Sequence, residues 1–334
     1  SPDPYATDRL RPASNFAFAS NVYWIDAGYF DGTVSALGDY NLVKAKHPYE
    51  VGPLRFYARV IDRTKWLEPS QRGTIKLKYD PNIRNELAKN LSVWRFSTVR
   101  GWENIGGVVN TRDQSITASF DGFGYYTVMS LRYSFSDIIG HAYARTALES
   151  MFAHGIMNAK DANSFGVYEN ITRGEFAQML VKMLDVPLDY DPTNMTFDDV
   201  LPYDFNDMPY WNFRYVETAV KKGFIRGKSP RLFFPNDTLT REEAAVMIAR
   251  ALNLVKSNAD IEKDRAALQK QFTDAGTVDS YAISSILAIA KEKYIAGIPN
   301  SSDTKTMRFE PKSNLSRADA AVIVERVMKK LKKL

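Results

Sequence analysis

Three short segments share one chemical pattern: Thr172-Arg173-Gly174-Glu175, Thr240-Arg241-Glu242-Glu243 and Ser316-Arg317-Ala318-Asp319. A hydroxyl followed three residues later by an acid has the form of a helix capping box. In it the hydroxyl accepts from the N3 N–H and the acid reaches back to the cap N–H. Thr172, Thr240 and Ser316 are therefore predicted N-caps, with Glu175, Glu243 and the shorter Asp319 at N3. The arginine between them runs against helix electrostatics. At N1 it places a cation where the helix dipole favours an anion, at a cost of a few tenths of a kcal/mol. An unfavourable residue used three times implies a task. One task is bidentate capture of a carboxylate or phosphate; the other is a structural ion pair with an aspartate of a neighbouring copy.

The pattern sits inside a longer series that recurs in the same order. Phe135-Ser136-Asp137, Phe197-Asp198-Asp199 and Phe272-Thr273-Asp274 open three copies, and Tyr143, Trp211 and Tyr281 follow as the aromatic heading each first helix. These aromatics can be core residues, or flat faces on which a sugar ring stacks. Gly155, Gly223 and Lys293 come 12 residues after them, and Ala159, Gly227 and Gly297 four residues later again. Phe165-Gly166-Val167, Phe233-Phe234-Pro235 and Phe309-Glu310-Pro311 then lead into the hydroxyl-arginine-acid segments. An ordered series found three times marks an internal repeat.

The elements that must position these residues change character near residue 134. Before it, 54–61, 74–79, 91–97, 115–120 and 125–131 are rich in β-branched and aromatic residues and are bounded by turn residues such as Asp80-Pro81-Asn82. Short strands at this spacing predict a β-sandwich, with one short helix near 84–89. After it, 143–152, 172–184, 211–222, 240–254, 281–293 and 316–331 carry apolar residues at helical period. A further charged helix is predicted at 260–271 as a spacer. The expected fold class is multidomain α+β. Its predicted parts are an all-β sandwich at 1–133, repeats at 134–192 and 193–256, a connecting helix at 257–271, and a third repeat at 272–334.

Composition narrows the function. The 334 residues are 45% hydrophobic and 25% charged, and contain no cysteine. Disulfides, thiolate metal sites and cysteine nucleophiles are thereby excluded. His47, His141 and His154 lie at no metal-ligand spacing, so no metal or other cofactor is expected. Residues 1–134 hold 17 Lys and Arg against 13 Asp and Glu, and the rest is nearly balanced despite Lys329, Lys330, Lys332 and Lys333. That is too diffuse a basic character for a nucleic-acid partner. No apolar run is long enough for membrane insertion. No basic, apolar leader opens the chain, so any secretion signal is expected to have been removed or to lie outside this sequence. Nucleophile-elbow, phosphate-loop and HExxH patterns are missing, and the expectation is a protein that is not an enzyme.

The Phe-x-Asp opening, the helix-heading aromatic, the Gly-Ile-Met and Gly-Phe-Ile turns, Phe-x-Pro and the Thr-Arg-x-Glu box resemble the S-layer homology repeat of bacterial surface proteins. The resemblance spans about residues 135–334. It implies a pseudo-threefold assembly around a central three-helix bundle, with grooves between repeats that bind secondary cell wall polysaccharide through pyruvylated N-acetylmannosamine. By position, Arg173, Arg241 and Arg317 would hold the acid group. Asp137, Asp199 and Asp274 would take sugar hydroxyls or orient the arginines. Tyr143, Trp211 and Tyr281 would line the grooves, and Gly227 and Gly297 would let the backbone approach the ligand. The implied localisation is the wall or S-layer of a Gram-positive bacterium, with neighbouring S-layer subunits as further partners. The first domain more loosely resembles the β-sandwich modules that flank such repeats, on Trp102-Glu103-Asn104-Ile105-Gly106-Gly107 and Phe123-Gly124-Tyr125-Tyr126.

The copies also differ. The first has Ala159 and Val167 where the others have glycine and proline. The second takes 14 residues from Phe197 to Trp211, against 8 and 9 in the first and third. The third replaces glycine by Lys293 and adds six residues before its box. Unequal grooves are therefore expected, with the second copy keeping the most complete motif set. The rival readings are a lattice-forming or helical interaction scaffold, and a fragment of a surface glycoside hydrolase whose carboxylate pair no motif reveals.

Overall fold

The computed structural model describes residues 10–25, 39–40, 49–52, 54–57, 68–97, 100–120, 122, 124–202 and 210–334. The predicted strand residues 58–61, and His47, Asp121 and Phe123, lie outside them. Contacts divide the chain into two compact units. One draws on residues 1–135, 149–156 and 332–334, the other on 136–148 and 157–331.

The first unit is built of strands. In order these are Phe16–Phe18 (β1), Tyr23–Ile25 (β2), Asp39–Tyr40 (β3), Tyr49–Gly52 (β4), Leu54–Tyr57 (β5), Glu68–Gln71 (β6) and Gly73–Lys78 (β7). A short helix, Asn85–Ala88 (α1), precedes Leu91–Ser97 (β8), Gly101–Gly106 (β9), Val108–Asn110 (β10), Ser115–Phe120 (β11) and Gly124–Leu131 (β12). One antiparallel sheet runs β1-β12-β8-β9, with β2 also on β12; a second runs β10-β11-β7-β4, and β3-β5-β6 form a third. Side chains alternate faces along a strand. Ile75 and Leu77, Ile116 and Phe120, Leu91 and Val93, and Tyr126 and Val128 thus gather from the two larger sheets into one buried cluster. A second cluster of Phe16, Trp94 and Met129 takes Phe152 against it. His154 Nε2 lies 2.8 Å from the Lys89 carbonyl, and Asn104 Nδ2 donates to the Ala153 carbonyl at 2.8 Å.

The second unit is mainly helical. Ser136–Ile139 (α2) and Arg145–Ala153 (α3), the latter crossing into the first unit, are followed by Arg173–Leu184 (α4) and Phe213–Lys221 (α5). Then come Arg241–Ala251 (α6), Ile261–Gln271 (α7), Ile283–Lys291 (α8) and Arg317–Lys330 (α9). Asp260 caps α7 by accepting from the Glu262 and Lys263 N–H groups. The six extra residues of the third copy lie in a segment that forms a small hairpin, Ile298–Pro299 (β13) against Met307–Arg308 (β14). Gly155, Gly223 and Lys293, 12 residues beyond the aromatics, all have positive φ, at 73°, 76° and 60°. Glycine adopts that geometry freely; Lys293 holds it with a side chain.

Helix α4 packs against both α6 and α9. In front of these three helices the backbone closes a ring of three hydrogen bonds. Ile171 N donates to Leu315 O at 2.8 Å, Leu315 N to Leu239 O at 2.8 Å, and Leu239 N to Ile171 O at 3.1 Å. All three residues are fully buried. Each lies immediately before an N-cap, so the ring fixes the starts of α4, α6 and α9 relative to one another.

Candidate functional site

At those three helix starts the hydroxyls of Thr172, Thr240 and Ser316 accept from the N–H groups of Glu175, Glu243 and Asp319, at 3.2, 3.3 and 3.0 Å. The acid side chains bond elsewhere than at their own caps. Glu175 receives Arg317, whose Nε and Nη2 both reach it, the latter at 2.8 Å. Glu243 receives Arg173 Nη1 at 3.1 Å. The box is therefore half used for capping and half for joining repeats.

The arginines follow a cyclic rule. Arg173 of the first copy donates to the carbonyls of Phe233 (3.0 Å) and Arg226 (3.2 Å) in the second. Arg241 of the second donates to Phe309 (2.8 Å) and Ala296 (3.0 Å) in the third. Arg317 of the third donates to Phe165 and, at 2.6 Å, to Asn158 in the first. Each guanidinium also lies over the ring of the same phenylalanine, with 4.8, 5.1 and 4.5 Å to the centroid. Planar nitrogens with fixed donor directions suit this combined stacking and donation.

The opening aspartates support those loops from behind. Asp137 accepts from the N–H groups of Phe165, Gly166 and Val167. Asp199 accepts from Phe233 and Phe234, and Asp274 from Phe309 and Glu310. The aspartates thus hold the loops whose phenylalanine carbonyls the arginines use, and two of the three arginines, Arg173 and Arg317, pair with N3 acids instead. Burial pushes the Asp137 carboxyl up, but the three backbone donors outweigh it and hold it below the usual aspartate value.

Arg241 breaks the pattern. Asp319, which occupies the position of Glu175 and Glu243, is one methylene shorter, and its Oδ1 accepts the Tyr143 phenol at 2.5 Å. Among the described residues no carboxylate forms an ion pair with Arg241, and its Nη1 donates to none of them. Burial lowers its pKa from the ordinary arginine value, against the longer-range pull of Asp319, Glu310 and Asp274. A largely buried cation with an unused nitrogen is a ready partner for an anion.

Arg317 is the opposite case. It is fully buried, and its guanidinium lies between the rings of Phe165 and Tyr210, the latter only 3.9 Å away at its centroid. Tyr210 is anchored by donating to Glu169 at 2.8 Å. Burial raises the Tyr210 pKa above the ordinary tyrosine value. The sequence pattern passed over Tyr210, because it lies in the extended approach to Trp211 and matches nothing in the other copies. The doubled aromatic Tyr210-Trp211 was the only available signal.

The three aromatics divide. Trp211 is buried, with its ring filling the space beside Gly174, where an added Cβ would stand 2.8 Å from it. Tyr143 and Tyr281 are exposed, at 65% and 55%. The Tyr143 phenol is pushed up to about 12 by burial and then by Asp319; the Tyr281 phenol reaches about 12 through burial and the nearby Glu242, Glu243 and Asp279. Gly227 and Gly297 are required by their own repeats. A Cβ there would meet the Phe197 ring at 3.1 Å and the Phe272 ring at 2.8 Å. Among the described residues no His, Cys, Asp or Glu cluster suits a metal ion. No described helix is long and apolar enough to cross a membrane.

Comparison with known proteins identifies the three repeats. The S-layer homology domain model matches residues 134–177, 204–245 and 271–321. The amylopullulanase of Thermoanaerobacterium thermosulfurigenes is 26% identical over 237 residues, covering 70% of this chain and 11% of that protein. The surface-layer 125 kDa protein of Lysinibacillus sphaericus is 26% identical over 56% of this chain and 14% of its own length. The S-layer protein EA1 of Bacillus anthracis is 24% identical over 59% of this chain and 20% of its own length. The chain thus spans a fifth or less of these relatives. Three family matches, each containing one of the hydroxyl-arginine-acid segments, show that the chain carries three S-layer homology domains.

Proposed function

We propose that this chain retains a surface protein on the bacterial cell wall by binding an anionic wall polysaccharide non-covalently, with the acid group seated at Arg241. S-layer homology domains anchor proteins to cell walls. The observation that carries the finer reading is the asymmetry of the three arginines. Arg173 is neutralised by Glu243, Arg317 is paired with Glu175 and sealed by Tyr210, and Arg241 alone keeps a buried charge without an ion-pair partner.

The ligand in this reading is a secondary wall polysaccharide bearing pyruvylated N-acetylmannosamine, whose ketal carboxylate matches a guanidinium fork. Tyr143, exposed beside Asp319, lines the same groove. Arg173 and Arg317 act mainly as ties between repeats, and Asp137, Asp199 and Asp274 act by holding the loops. The cyclic contacts and the closed backbone ring support a pseudo-threefold arrangement about α4, α6 and α9. The same anchor serves an S-layer subunit or a wall-bound enzyme of a Gram-positive cell, consistent with the names of both kinds of relative.

Calorimetric titration with the intact polysaccharide, beside the same polymer with its ketals hydrolysed, tests the reading. Saturable binding to the intact polymer alone is expected. Equal binding to both polymers would exclude the acid group as the recognised feature.

A further inference from the structure

Beside Tyr143 the helical unit exposes a second aromatic, Tyr168. Tyr168 is 74% exposed and Tyr143 65% exposed, and between them stands the buried His141. The imidazole meets the Tyr143 ring edge-on at 4.7 Å and lies tilted against the Tyr168 ring at 5.6 Å. Its Nδ1 accepts the Ala144 N–H at 3.2 Å, so in the neutral ring the proton is on Nε2. Tyr143 is fixed at its other end by Asp319. The three rings are therefore an ordered array, which spares a ligand the cost of organising them.

The array is tied toward Arg241 by Asp319, which holds Tyr143 and stands at the N3 position whose equivalents, Glu243 and Glu175, take Arg173 and Arg317. Its own side chains offer flat ring faces rather than ionic partners. A polymer held by one charged residue must continue past it, and an uncharged pyranose presents C–H faces that pack on aromatic rings while its hydroxyls find polar tips. We propose that Tyr143, His141 and Tyr168 form a second sugar subsite, which stacks an uncharged ring of the polysaccharide next to the unit bound at Arg241. This rests on the anchor reading above.

The test is titration of the full chain as wild type, Tyr168→Ala and Tyr168→Phe. Two probes are used: the intact pyruvylated polysaccharide and the methyl glycoside of pyruvylated N-acetylmannosamine. Tyr168 is exposed, so its removal leaves the fold in place. Tyr168→Ala is expected to weaken the polymer about tenfold, the scale of losing an aromatic anchor, and to leave the monosaccharide unchanged. Tyr168→Phe, which keeps the ring, is expected to bind both as wild type does. Unchanged polymer affinity in Tyr168→Ala overturns the subsite while leaving the anchor reading intact. So does an equal loss for both probes, or a Tyr168→Phe as weak as the alanine variant. A wild-type chain that binds neither probe removes the anchor reading, and the subsite falls with it.

Discussion

Tyr143 and Asp319, one from the first repeat and one from the third, meet phenol to carboxylate at 2.5 Å. At the two equivalent places a glutamate occupies this position and takes the arginine of another repeat. The shorter aspartate is occupied by the tyrosine, and Arg241 is left with two carbonyls and a phenylalanine ring. On the proposed reading, that difference of one methylene leaves Arg241 open to an outside anion where Arg173 and Arg317 are structural ties.

Lengthening that acid should reverse the effect. Asp319→Glu is expected to reach Arg241 as Glu243 reaches Arg173, and to weaken polymer binding about tenfold, the loss of roughly one charge-assisted hydrogen bond. Titration of this variant is the check, and an affinity equal to wild type would separate the Asp319 length from the availability of Arg241.

Glu175→Ala should be among the most destabilising substitutions in the helical unit. It leaves Arg317 fully buried without its carboxylate, a change worth about 3–5 kcal/mol. Urea unfolding followed by far-UV circular dichroism measures it. A loss below about 1 kcal/mol would mean that water reaches Arg317 once the acid is gone.

Tyr210 should divide into ring and hydroxyl contributions. Tyr210→Phe removes only the bond to Glu169 and is expected to cost about 1 kcal/mol. Tyr210→Ala also uncovers Arg317 and should cost about 3 kcal/mol. Equal losses in the two variants would place the whole effect in the hydroxyl.

Much of this was legible in the repeated motif and some of it could not be. The capped starts of α4, α6 and α9 follow from local hydrogen bonding, which a four-residue pattern carries. The aromatics Tyr143 and Trp211 come two residues before their helices, where the chain enters the first turn. Pairing across repeats is not local: Arg317 and Glu175 are 142 residues apart, and neither residue's neighbours specify the other. The opening aspartates looked like arginine partners by charge alone, yet backbone N–H groups of their own loops satisfy them first. Tyr210, Tyr168 and His141 match no repeated position, so a search by recurrence passes over them.

In the β unit, Asp113 gives a pH prediction. Hydrogen bonds from Lys76, at 2.8 Å, and then from Ser115 hold its carboxyl down at about 2. A depressed carboxyl contributes its stabilisation fully above the ordinary value of 3.8 and loses it as pH falls toward 2. NMR titration should show this midpoint, and Lys76→Met should move it up toward 3.8. A wild-type midpoint near 3.8 would mean that the ion pair does not persist in solution.

Anion binding at Arg241 is open to a single titration. Arg241→Gln is measured calorimetrically against the intact pyruvylated polysaccharide, beside wild type, after circular dichroism has shown the same helical content in both. Loss of a charged fork should weaken binding roughly 10- to 100-fold. Affinity equal to wild type in a folded Arg241→Gln variant would contradict the account and make Arg241 a structural tie like Arg173 and Arg317.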